Sequence, residues 1–551
     1  MPPAASAASP LLEWLRDPSA ERGIHFARLD GGWAFCSYHD LAAQAWRAGA
    51  GLRRLGVRPG NVVSLVGRSG PELVAAFFGT WLAGAVPSLV APPIAFQDLA
   101  AYRAHTAGVL RTAGPALVVA DAEFIEELER LAAGVAPVIR FESLFGGDGE
   151  GARGEPGDGA LLQFTSGSSG VARAVWVPLR ALEANVAAIS RWLGWTPDSP
   201  FASWLPLHHD MGLVGGLISP VVNRADLWLL QPEHFIRDPL RYLRCLGGGA
   251  QLTATPNFGL DLVTRRVPPA ALEGLDFSAV RGIVIGAERI DPATLERFHA
   301  LLAPSGLRRE ALLPAYGLAE ATLAVSGVPR GAGWRSVALD PSSLAPGCTV
   351  RPTDGEASVV VGCGAPLEGV SVSIVDGAST VLGEGRVGEI VVRGDSLAAR
   401  YVGDAAASLT TLSGGALHTG DAGFLLHGQL FVLGRLGDSL KVRGRVIFSE
   451  ELEAALAGAG AARPRLAVLL GVHEGAPTVV VVAEEEAPRW RGAAEELLAR
   501  MAGGAGVAFV RAPGGVLPRT SSGKPRRRAL WSLFVEGSLP PTGSYNGEEL
   551  G

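Results

Sequence analysis

The stretch LLQFTSGSSGVARA, residues 161–174, contains the pattern that decides the fold of this chain. Residues 160–164 are mostly apolar, as in a buried β-strand, and the turn after them is rich in glycine and hydroxyl side chains. Such a turn presents N–H and O–H donors to an anion, and Arg173 adds positive charge nearby. The pattern predicts a polyphosphate-binding loop formed by Thr165, Ser166, Gly167, Ser168, Ser169 and Gly170. An ordinary surface loop is the alternative interpretation.

Two well-known site motifs do not fit this chain. A Walker-type phosphate loop requires a glycine five positions before its Gly-Lys pair, but Pro518 occupies that position ahead of Lys524. A serine nucleophile of the hydrolase type requires G-x-S-x-G, which the turn lacks. The sequence therefore excludes a P-loop NTPase and argues against a serine hydrolase.

Lysine is rare here, because only two of the 48 basic residues are lysines, Lys441 and Lys524. An ammonium group is a compact charge on a flexible stem, and it fits between a phosphate and a carboxylate where a planar guanidinium does not. Lys524 ends a Gly/Ser-rich segment, residues 517–524, that precedes an apolar helix-like stretch. We therefore interpret Lys524 as a candidate catalytic residue, while an arginine-rich composition could also leave two lysines by chance.

Composition narrows the class of protein. A chain of 551 residues exceeds the size of a single core, so two or three domains are expected. The net charge of −6 gives no general attraction to nucleic acid. The four cysteines are dispersed and are not spaced like metal ligands, which suits a reducing cytoplasm.

Residues 73–96 form an uncharged apolar run, but prolines interrupt it, so we predict a buried helix at 71–85 and a strand at 86–90 instead of a membrane span.

Short β-rich segments alternate with Ala/Leu-rich helical segments along the chain. Residues 61–66, 116–120, 281–285 and 389–392 are the clearest strand candidates. This alternation predicts a layered α/β fold with largely parallel sheets.

Several short motifs follow the glycine-rich turn in order: Gly286-Ala287-Glu288, Tyr316-Gly317-Leu318-Ala319-Glu320, Thr419-Gly420-Asp421, Gly434-Arg435 and the Lys524 loop. In this combination the chain resembles the adenylate-forming enzymes, which include acyl-CoA synthetases, adenylation domains and luciferases. It is most similar to the fatty acyl-AMP ligases, through WLPLHHDMGL at 204–213, TPNF at 255–258 and YGLAEATLAVSG at 316–327. The resemblance spans nearly the whole chain.

The resemblance implies two domains. The first, residues 1–435, would be a large N-terminal lobe of several subdomains with layered sheets and helices. The second, residues 436–551, would be a small mobile α/β lid that carries Lys524. Gly437 corresponds to the hinge, and Lys441 corresponds to a lysine that some relatives present to the site in a second pose. An ordinary turn glycine and a solvated strand lysine are the alternatives.

The resemblance also assigns roles to residues. Residues 165–170 and Arg173 would hold the β- and γ-phosphates of ATP, while Gly286, Ala287, Glu288 and Tyr316 would border the adenine and Gly317 would take part in ATP/AMP binding. Glu320 would ligate Mg²⁺, Asp421 would accept the ribose hydroxyls with support from Arg435, and Lys524 would bridge the substrate carboxylate and the α-phosphate. His209 would lie near the acyl carbonyl, and Asp210, Met211, Phe258 and Gly259 would line the acyl pocket. Each of three residues also has an ordinary interpretation when taken alone. Asp421 fits a turn aspartate, Glu320 fits a carboxylate at the start of a helix, and Arg435 fits a solvated surface charge.

The expected reaction is activation of a carboxylic acid by ATP to acyl-AMP with release of pyrophosphate. A fatty acid is the favoured substrate, and aryl and amino acids are the alternative substrates. The acyl group would then pass to the phosphopantetheine thiol of an acyl carrier protein acting in trans. The alternatives are an acyl-CoA synthetase and a noncatalytic acyl-nucleotide-binding protein.

Two local features modify these expectations. Ala172, Arg173 and Ala174 stand where relatives commonly have Pro, Lys and Gly, which predicts slower ATP binding. The basic segment that contains Arg526, Arg527 and Arg528 predicts a docking surface for an acidic carrier protein.

Overall fold

Strands rich in β-branched and aliphatic residues alternate with Ala- and Leu-rich helices, as the sequence predicted. The protein is represented by a computed structural model that describes residues 9–93, 99–146, 157–165, 173–355, 357–403, 409–443, 445–461, 465–484, 491–512, 517–519, 524–539 and 541–544. Residues 166–170 of the predicted phosphate loop lie outside these ranges, so their predicted role stays a prediction.

The strands of the first 317 residues are β1 (Gly23–Ala27), β2 (Trp33–Ser37), β3 (Val62–Val66), β4 (Val86–Leu89), β5 (Leu117–Ala120), β6 (Val138–Arg140), β7 (Gly159–Thr165), β8 (Arg173–Pro178), β9 (Phe201–Ser203), β10 (Leu227–Leu229), β11 (Leu252–Pro256), β12 (Gly282–Gly286) and β13 (Leu312–Gly317). The later strands are β14 (Ala324–Gly327), β15 (Ser336–Leu339), β16 (Ser358–Val361), β17 (Ala365–Pro366), β18 (Val370–Val375), β19 (Gly388–Gly394), β20 (Arg400–Val402), β21 (Thr411–Ser413), β22 (Ala416–Leu426), β23 (Gln429–Arg435), β24 (Ser439–Val442), β25 (Arg445–Phe448), β26 (Leu466–His473), β27 (Ala476–Ala483), β28 (Gly506–Arg511) and β29 (Pro541–Ser544).

The α-helices are α1 (Tyr38–Arg54), α2 (Pro71–Leu82), α3 (Leu99–Ala113), α4 (Ile125–Leu131), α5 (Leu179–Leu193), α6 (Ser219–Val222), α7 (Pro232–Arg237), α8 (Pro239–Gly247), α9 (Asn257–Arg266), α10 (Pro292–Leu302), α11 (Ser449–Gly458), α12 (Arg491–Met501) and α13 (Arg527–Val535). A π-helix, Met211–Ile218, leads directly into α6.

The largest sheet has nine strands in the order β17-β14-β13-β12-β11-β9-β10-β1-β2. Its central strands, from β13 to β1, run parallel. A second sheet, β4-β3-β5-β6, is also parallel. The carboxyl ends of β9, β11, β12 and β13 therefore meet at one edge, which is where open α/β sheets bind ligands.

The prediction of largely parallel sheets is wrong for several strands outside these two sheets. β18, β19, β22, β21 and β23 form an antiparallel sheet, and β7, β8 and β20 form a second one. Short turns connect β21 to β22 and β22 to β23, and a hairpin needs no crossover helix. The α/β class itself is confirmed.

The predicted buried helix and strand at residues 71–90 are confirmed as α2 and β4. Phe77, Phe78 and Trp81 of α2 are fully buried and contact one another in the main core. No helix within the described residues is long and apolar enough to cross a lipid bilayer.

The chain changes character after Arg435, where β23 ends and a short 3₁₀ turn, Leu436–Asp438, begins. The segment beyond it has its own apolar core around Leu452, Val468 and Leu498. We call residues 436–551 the lid. The hairpin β24–β25 packs against the large lobe, because Phe448 shares a cluster with Phe424 and Phe431. The predicted boundary at 435/436 coincides with this turn, and as a division into separately moving domains it stays a prediction.

Candidate functional site

A cavity of about 720 Å³ lies at the carboxyl ends of β9, β11, β12 and β13. Residues 204–212, which follow β9, line one wall, together with the residues after β12 and β13. The lid lines the opposite wall through Asp438, Glu450, Glu453, Leu466, Arg519, Lys524, Pro525, Arg526 and Arg527. The cavity therefore lies where the parallel sheet predicts a ligand and is covered by the lid.

Glu320 lies at one end of the cavity and is held by two side chains. Arg173 donates from Nη2 to Glu320 Oε1 at 3.0 Å, and the Tyr401 hydroxyl donates to the same oxygen at 2.9 Å. The guanidinium also stacks over the Tyr401 ring at 4.1 Å, because β20 pairs with β8. The side chains of Arg173 and Glu320 are only 8% and 5% exposed. This end is thus a buried carboxylate with a buried counter-ion.

Asp421 forms the centre of a second polar group. Its Oδ1 accepts from Arg435 Nε at 2.8 Å, and its Oδ2 accepts from the Tyr316 hydroxyl at 2.6 Å. Asp421 and Arg435 are cross-strand partners on β22 and β23, so the sheet register itself pairs them. Gly420 has φ +69, and this left-handed turn precedes Asp421. Burial raises the pKa of the Asp421 carboxyl, and the Arg435 charge opposes that rise.

Thr410 connects the two polar groups. Its carbonyl accepts from Arg173 Nη1 at 2.9 Å, and its hydroxyl accepts from Arg435 Nη1 at 3.0 Å. The same hydroxyl donates to the Thr419 carbonyl at 2.9 Å, and the Thr410 side chain is buried. A continuous network therefore runs from Glu320 to Asp421, and we call it the polar network.

Lys524 lines the same cavity from the lid side. Burial raises the pKa of Asp210 and Asp421, and the Lys524 ammonium counters the rise at both carboxyls. Burial would also raise the pKa of Glu450, but the cations Arg527, Lys524 and Arg289 hold it below its ordinary value. The lysine is thus within electrostatic reach of carboxylates on three separate segments of the chain.

The whole chain is similar to proteins of known family. The sequence profile of the AMP-binding enzymes matches residues 17–402. The chain belongs to the AMP-binding enzyme family. It is 32% identical over 507 residues to the putative fatty-acid–CoA ligase FadD21 of Mycobacterium tuberculosis, covering 85% of this chain and 87% of that protein. It is 34% identical over 429 residues to the long-chain-fatty-acid–AMP ligase FadD26 of the same species, covering 72% of each.

A solved structure from studies of the fatty acyl-adenylate ligases of E. coli and L. pneumophila superimposes on this AMP-binding enzyme with a TM-score of 0.87. The sequence identity is 28%, and the match covers 97% of this chain and 99% of that one. The predicted family and the α/β fold are therefore confirmed over nearly the whole length.

All the residues predicted to border the adenine, together with Gly317, line the cavity of this AMP-binding enzyme: Gly286, Ala287, Glu288, Tyr316 and Gly317. Ala287 has φ +67, a left-handed conformation that is uncommon outside glycine and marks a sharp turn at the end of β12. Glu288 accepts a hydrogen bond from the backbone N–H of Phe258 at the start of α9, so it also fixes that helix. The assigned contacts with a nucleotide stay predictions.

His209 and Asp210 both line the cavity just before the π-helix. The ring of His209 lies 4.5 Å from that of His208, and Asp210 Oδ1 accepts from the Met211 N–H at 2.7 Å. Burial raises the pKa of Asp210 to about 6, and nearby Glu320 adds to the rise. The loop after β9 thus brings a carboxyl to the same cavity as Glu320.

Of the residues predicted to line the acyl pocket, three line the cavity and one does not. Met211 and Phe258 line the cavity together with Asp210. Gly259 is not among its lining residues, and a Cβ at this position would come within 2.9 Å of the Trp204 ring. Its lack of a side chain lets α9 pack closely against Trp204.

The predicted hinge, Gly437, is exposed in the 3₁₀ turn between β23 and the lid. A Cβ there would lie 3.1 Å from Leu409 Cδ1 and 3.3 Å from Arg528 Nη2, so this position is closely covered on one side. Lys441 is exposed on β24 and does not line the cavity, unlike Lys524. The hinge and the use of Lys441 in a second pose stay predictions.

The predicted basic docking surface needs a correction at Arg527. Its side chain is 11% exposed and pairs with Asp438 at 3.2 Å and with Glu453 at 2.8 Å. Arg528 is exposed, and Arg526 is half-buried and lines the cavity. Because consecutive residues of a helical turn point in different directions, only part of a basic run reaches the surface.

Sequence reasoning missed Thr410, Tyr401 and Glu450. Thr410 acts partly through its backbone carbonyl, and because every residue has one, the sequence does not indicate this contact. Tyr401 reaches Glu320 only because β20 pairs with β8. Glu450 lies at the start of α11 and resembles an ordinary first-turn acid. None of the three belongs to a local pattern that would have indicated a site.

Proposed function

We propose that this enzyme joins a fatty acid to AMP, with release of pyrophosphate, and then transfers the acyl group to the phosphopantetheine thiol of an acyl carrier protein in trans. One observation carries the proposal: one cavity is lined by Glu320, Arg173, Thr410 and Arg435 of the polar network, by Lys524 and by a long apolar wall. The names of the relatives, a fatty-acid–AMP ligase and a putative fatty-acid–CoA ligase, support the same class of substrate.

The chemistry of the first step suits these residues. A carboxylate oxygen attacks the α-phosphorus of ATP, a new P–O bond forms, and the bond to the bridging oxygen breaks with its electrons passing to pyrophosphate. The acid is ionised at neutral pH, so no base is needed, only alignment and charge neutralisation. Lys524 is the candidate to contact the carboxylate and the α-phosphate as charge shifts between them.

Mg²⁺ fits the donor set of the cavity. Asp210 and Glu320 provide carboxylate oxygens there, and the Thr165 hydroxyl, at the entry to the predicted phosphate loop, is buried with no partner among the described residues. No group of three or more ligating side chains occurs in the described ranges, which suits an ion held by one or two carboxylates and the phosphates themselves. When bound, Mg²⁺ would supply charge neutralisation of the triphosphate. Glu320 and Asp210 would hold it.

The other end of the polar network suits the ribose. Asp421 is an acceptor whose charge Arg435 sustains, and a ribose offers two vicinal hydroxyl donors. Arg173 would leave Glu320 as the triphosphate and its cation arrive, since a guanidinium binds phosphate oxygens as well as a carboxylate. We assign Asp421 to the ribose and Arg173 to the phosphates.

In the second step a thiol sulfur attacks the acyl carbonyl, and AMP leaves with the electrons of the C–O bond. His209 lines the cavity, and we propose that it lies near the acyl carbonyl and assists this step. CoA is the alternative acceptor, because one relative is named as a putative CoA ligase.

Two measurements test the proposal. Pyrophosphate release with chromatographic detection of acyl-AMP, over fatty, aryl and amino acids, is expected to show activity with fatty acids. A protein that binds acyl-AMP but forms none with any acid would contradict the enzymatic function. Incubating the preformed acyl-AMP complex with CoA or with holo-carrier protein then separates the two acceptors, and faster transfer to CoA would contradict the carrier assignment.

A further inference from the structure

The apolar part of the cavity lies between α5 and the nine-stranded sheet. α5 contributes Ile189, Trp192 and Leu193, and its position is fixed by Asn185, which exchanges hydrogen bonds with the backbone of Ala324 on β14. Across from the helix, the lining consists of small or aliphatic residues: Gly215, Ala254, Val284, Ala315, Leu323 and Ala324. Such a wall admits an alkyl chain and offers no partner for a charged or amino group.

Strand register gives the depth of this space. Pro256 of β11 pairs with Gly286 of β12 at the level of the nucleotide end, and Leu252 pairs with both Gly282 and Phe201 at the opposite end. These two levels are four residues apart, so the tunnel is roughly 13 Å long at about 3.3 Å per residue. An extended alkyl chain advances less than one C–C bond, ~1.5 Å, per carbon, so the tunnel holds about ten carbons.

Two aromatic rings close the far end. Trp195 and Phe201 both line the cavity, and their rings stack with centroids 5.1 Å apart at an interplanar angle of 21°. Trp195 is 7% exposed and Phe201 is 1% exposed, so little space exists behind them. We call this pair the aromatic floor.

The backbone holds the aromatic floor in place. α5 ends at Gly194, whose φ of +50 reverses the chain, and the Trp195 N–H donates to the Ser190 carbonyl at 2.8 Å. The indole Nε1 donates to the Ser199 carbonyl at 3.1 Å. Because the ring is hydrogen-bonded and stacked, a rotamer change that opened the tunnel would break both interactions.

We propose that Trp195, supported by Phe201, sets the longest acid that the enzyme activates, at about ten carbons. Trp195 is a specificity-determining residue, and this inference rests on the proposed acyl-AMP function. An acid longer than the tunnel must push its carboxylate away from the nucleotide end or displace the floor. One methylene more or less in an apolar pocket changes kcat/KM by roughly tenfold or more.

The test is a profile of acyl-AMP formation over saturated acids from hexanoate to stearate, as kcat/KM, for the wild type, Trp195→Ala and Trp81→Ala. Trp81 is the matched control, since it is fully buried, donates its indole N–H to the Ala160 carbonyl at 2.7 Å, and does not line the cavity. We expect the wild type to favour acids near decanoate. Trp195→Ala should gain about tenfold or more on palmitate relative to decanoate, and Trp81→Ala should keep the wild-type profile.

Other outcomes would distinguish failure of the proposed function from failure of the role assigned to the aromatic floor. A wild type that forms no acyl-AMP from any acid contradicts the proposed function itself. A wild type that activates decanoate and stearate equally, or a folded Trp195→Ala with an unchanged profile, overturns the assignment of the floor alone. If removal of the ring prevents folding, the pair Trp195→Leu and Trp81→Leu repeats the comparison. A smaller shift toward longer acids is then expected, confined to Trp195→Leu, and its absence overturns the assignment.

Discussion

The two ends of the cavity are built differently. The polar network joins residues far apart in the chain: Arg173 reaches Thr410 across 237 positions and Glu320 across 147. The aromatic floor comes from one short segment, because Trp195 and Phe201 lie six residues apart on the chain that connects α5 to β9. Loss of one partner in the network leaves a buried charge without compensation, whereas loss of a ring at the floor enlarges a space. Substitutions in the polar network should therefore damage chemistry and stability, while those at the floor should change selectivity.

Lys524→Ala should give the largest effect at the polar end. Removing a group that neutralises charge developing in the transition state costs roughly 10²–10³ in rate. We expect acyl-AMP formation to fall by about that factor, with ATP binding measured by calorimetry changed far less. Lys441→Ala, which removes the only other lysine, is the control and should retain adenylation. Undiminished adenylation in Lys524→Ala would contradict the assigned role.

Arg173→Ala should destabilise the fold strongly, because it leaves Glu320 buried and unpaired. Breaking a buried pair by removing one partner costs about 3–5 kcal/mol. Arg191→Ala is the matched control, since Arg191 and Glu368 form an exposed pair with 54% and 68% side-chain exposure, which is worth about 1 kcal/mol or less. Denaturant unfolding of both variants checks the difference. Equal losses would show that the polar network contributes no more than a surface pair.

Asp210→Asn should stabilise the protein in a pH-dependent manner. Burial raises the pKa of Asp210 to about 6, so the folded state binds this proton more tightly than the unfolded state, where the pKa is about 4. The ionised carboxyl therefore destabilises the fold increasingly as the pH rises from about 4 to about 6, by up to about 3 kcal/mol.

Thermal unfolding at about pH 4 and about pH 7.5 measures this prediction. The variant and the wild type should be equally stable at the lower pH, and the variant should be more stable at the higher one. Asp354→Asn, at an exposed position, should show no such divergence. A stabilisation that is the same at both pH values would argue for a cause other than the charge.

Arg528→Glu should give the smallest effect, because Arg528 is an exposed charge of the lid. Reversing a charge at the rim of an interface mainly slows association. We expect a few-fold slower acyl transfer to an acidic carrier protein with unchanged adenylation, and the exposed Arg308→Glu should affect neither step. Reversal of Arg527 is not a clean test of docking, because that side chain is only 11% exposed and pairs with Asp438 and Glu453. Equal losses in both half-reactions of Arg528→Glu would exclude a docking role.

The sequence predicted much of the polar end through short motifs. Glu320, Asp421, Arg435 and Lys524 were each weak candidates alone, yet the structure brings Glu320, Arg435 and Lys524 to the lining of one cavity and pairs Asp421 with Arg435. These motifs could be recognised in the sequence because each places a functional side chain next to a residue that suits a particular backbone conformation. Gly420, whose φ is positive, directly precedes Asp421 in this way. The antiparallel sheets and the burial of Arg527 were not predicted, since both depend on which segments become neighbours.

The sequence by itself determined the α/β class, the family and the types of charged group available to a nucleotide. Only the tertiary structure decided that Thr410 links the two polar groups and that Trp195 closes the apolar tunnel. The reason is physical: a backbone preference acts within a few residues of the chain. A buried ion pair or the end of a tunnel exists only after strand order and helix packing have placed distant side chains together.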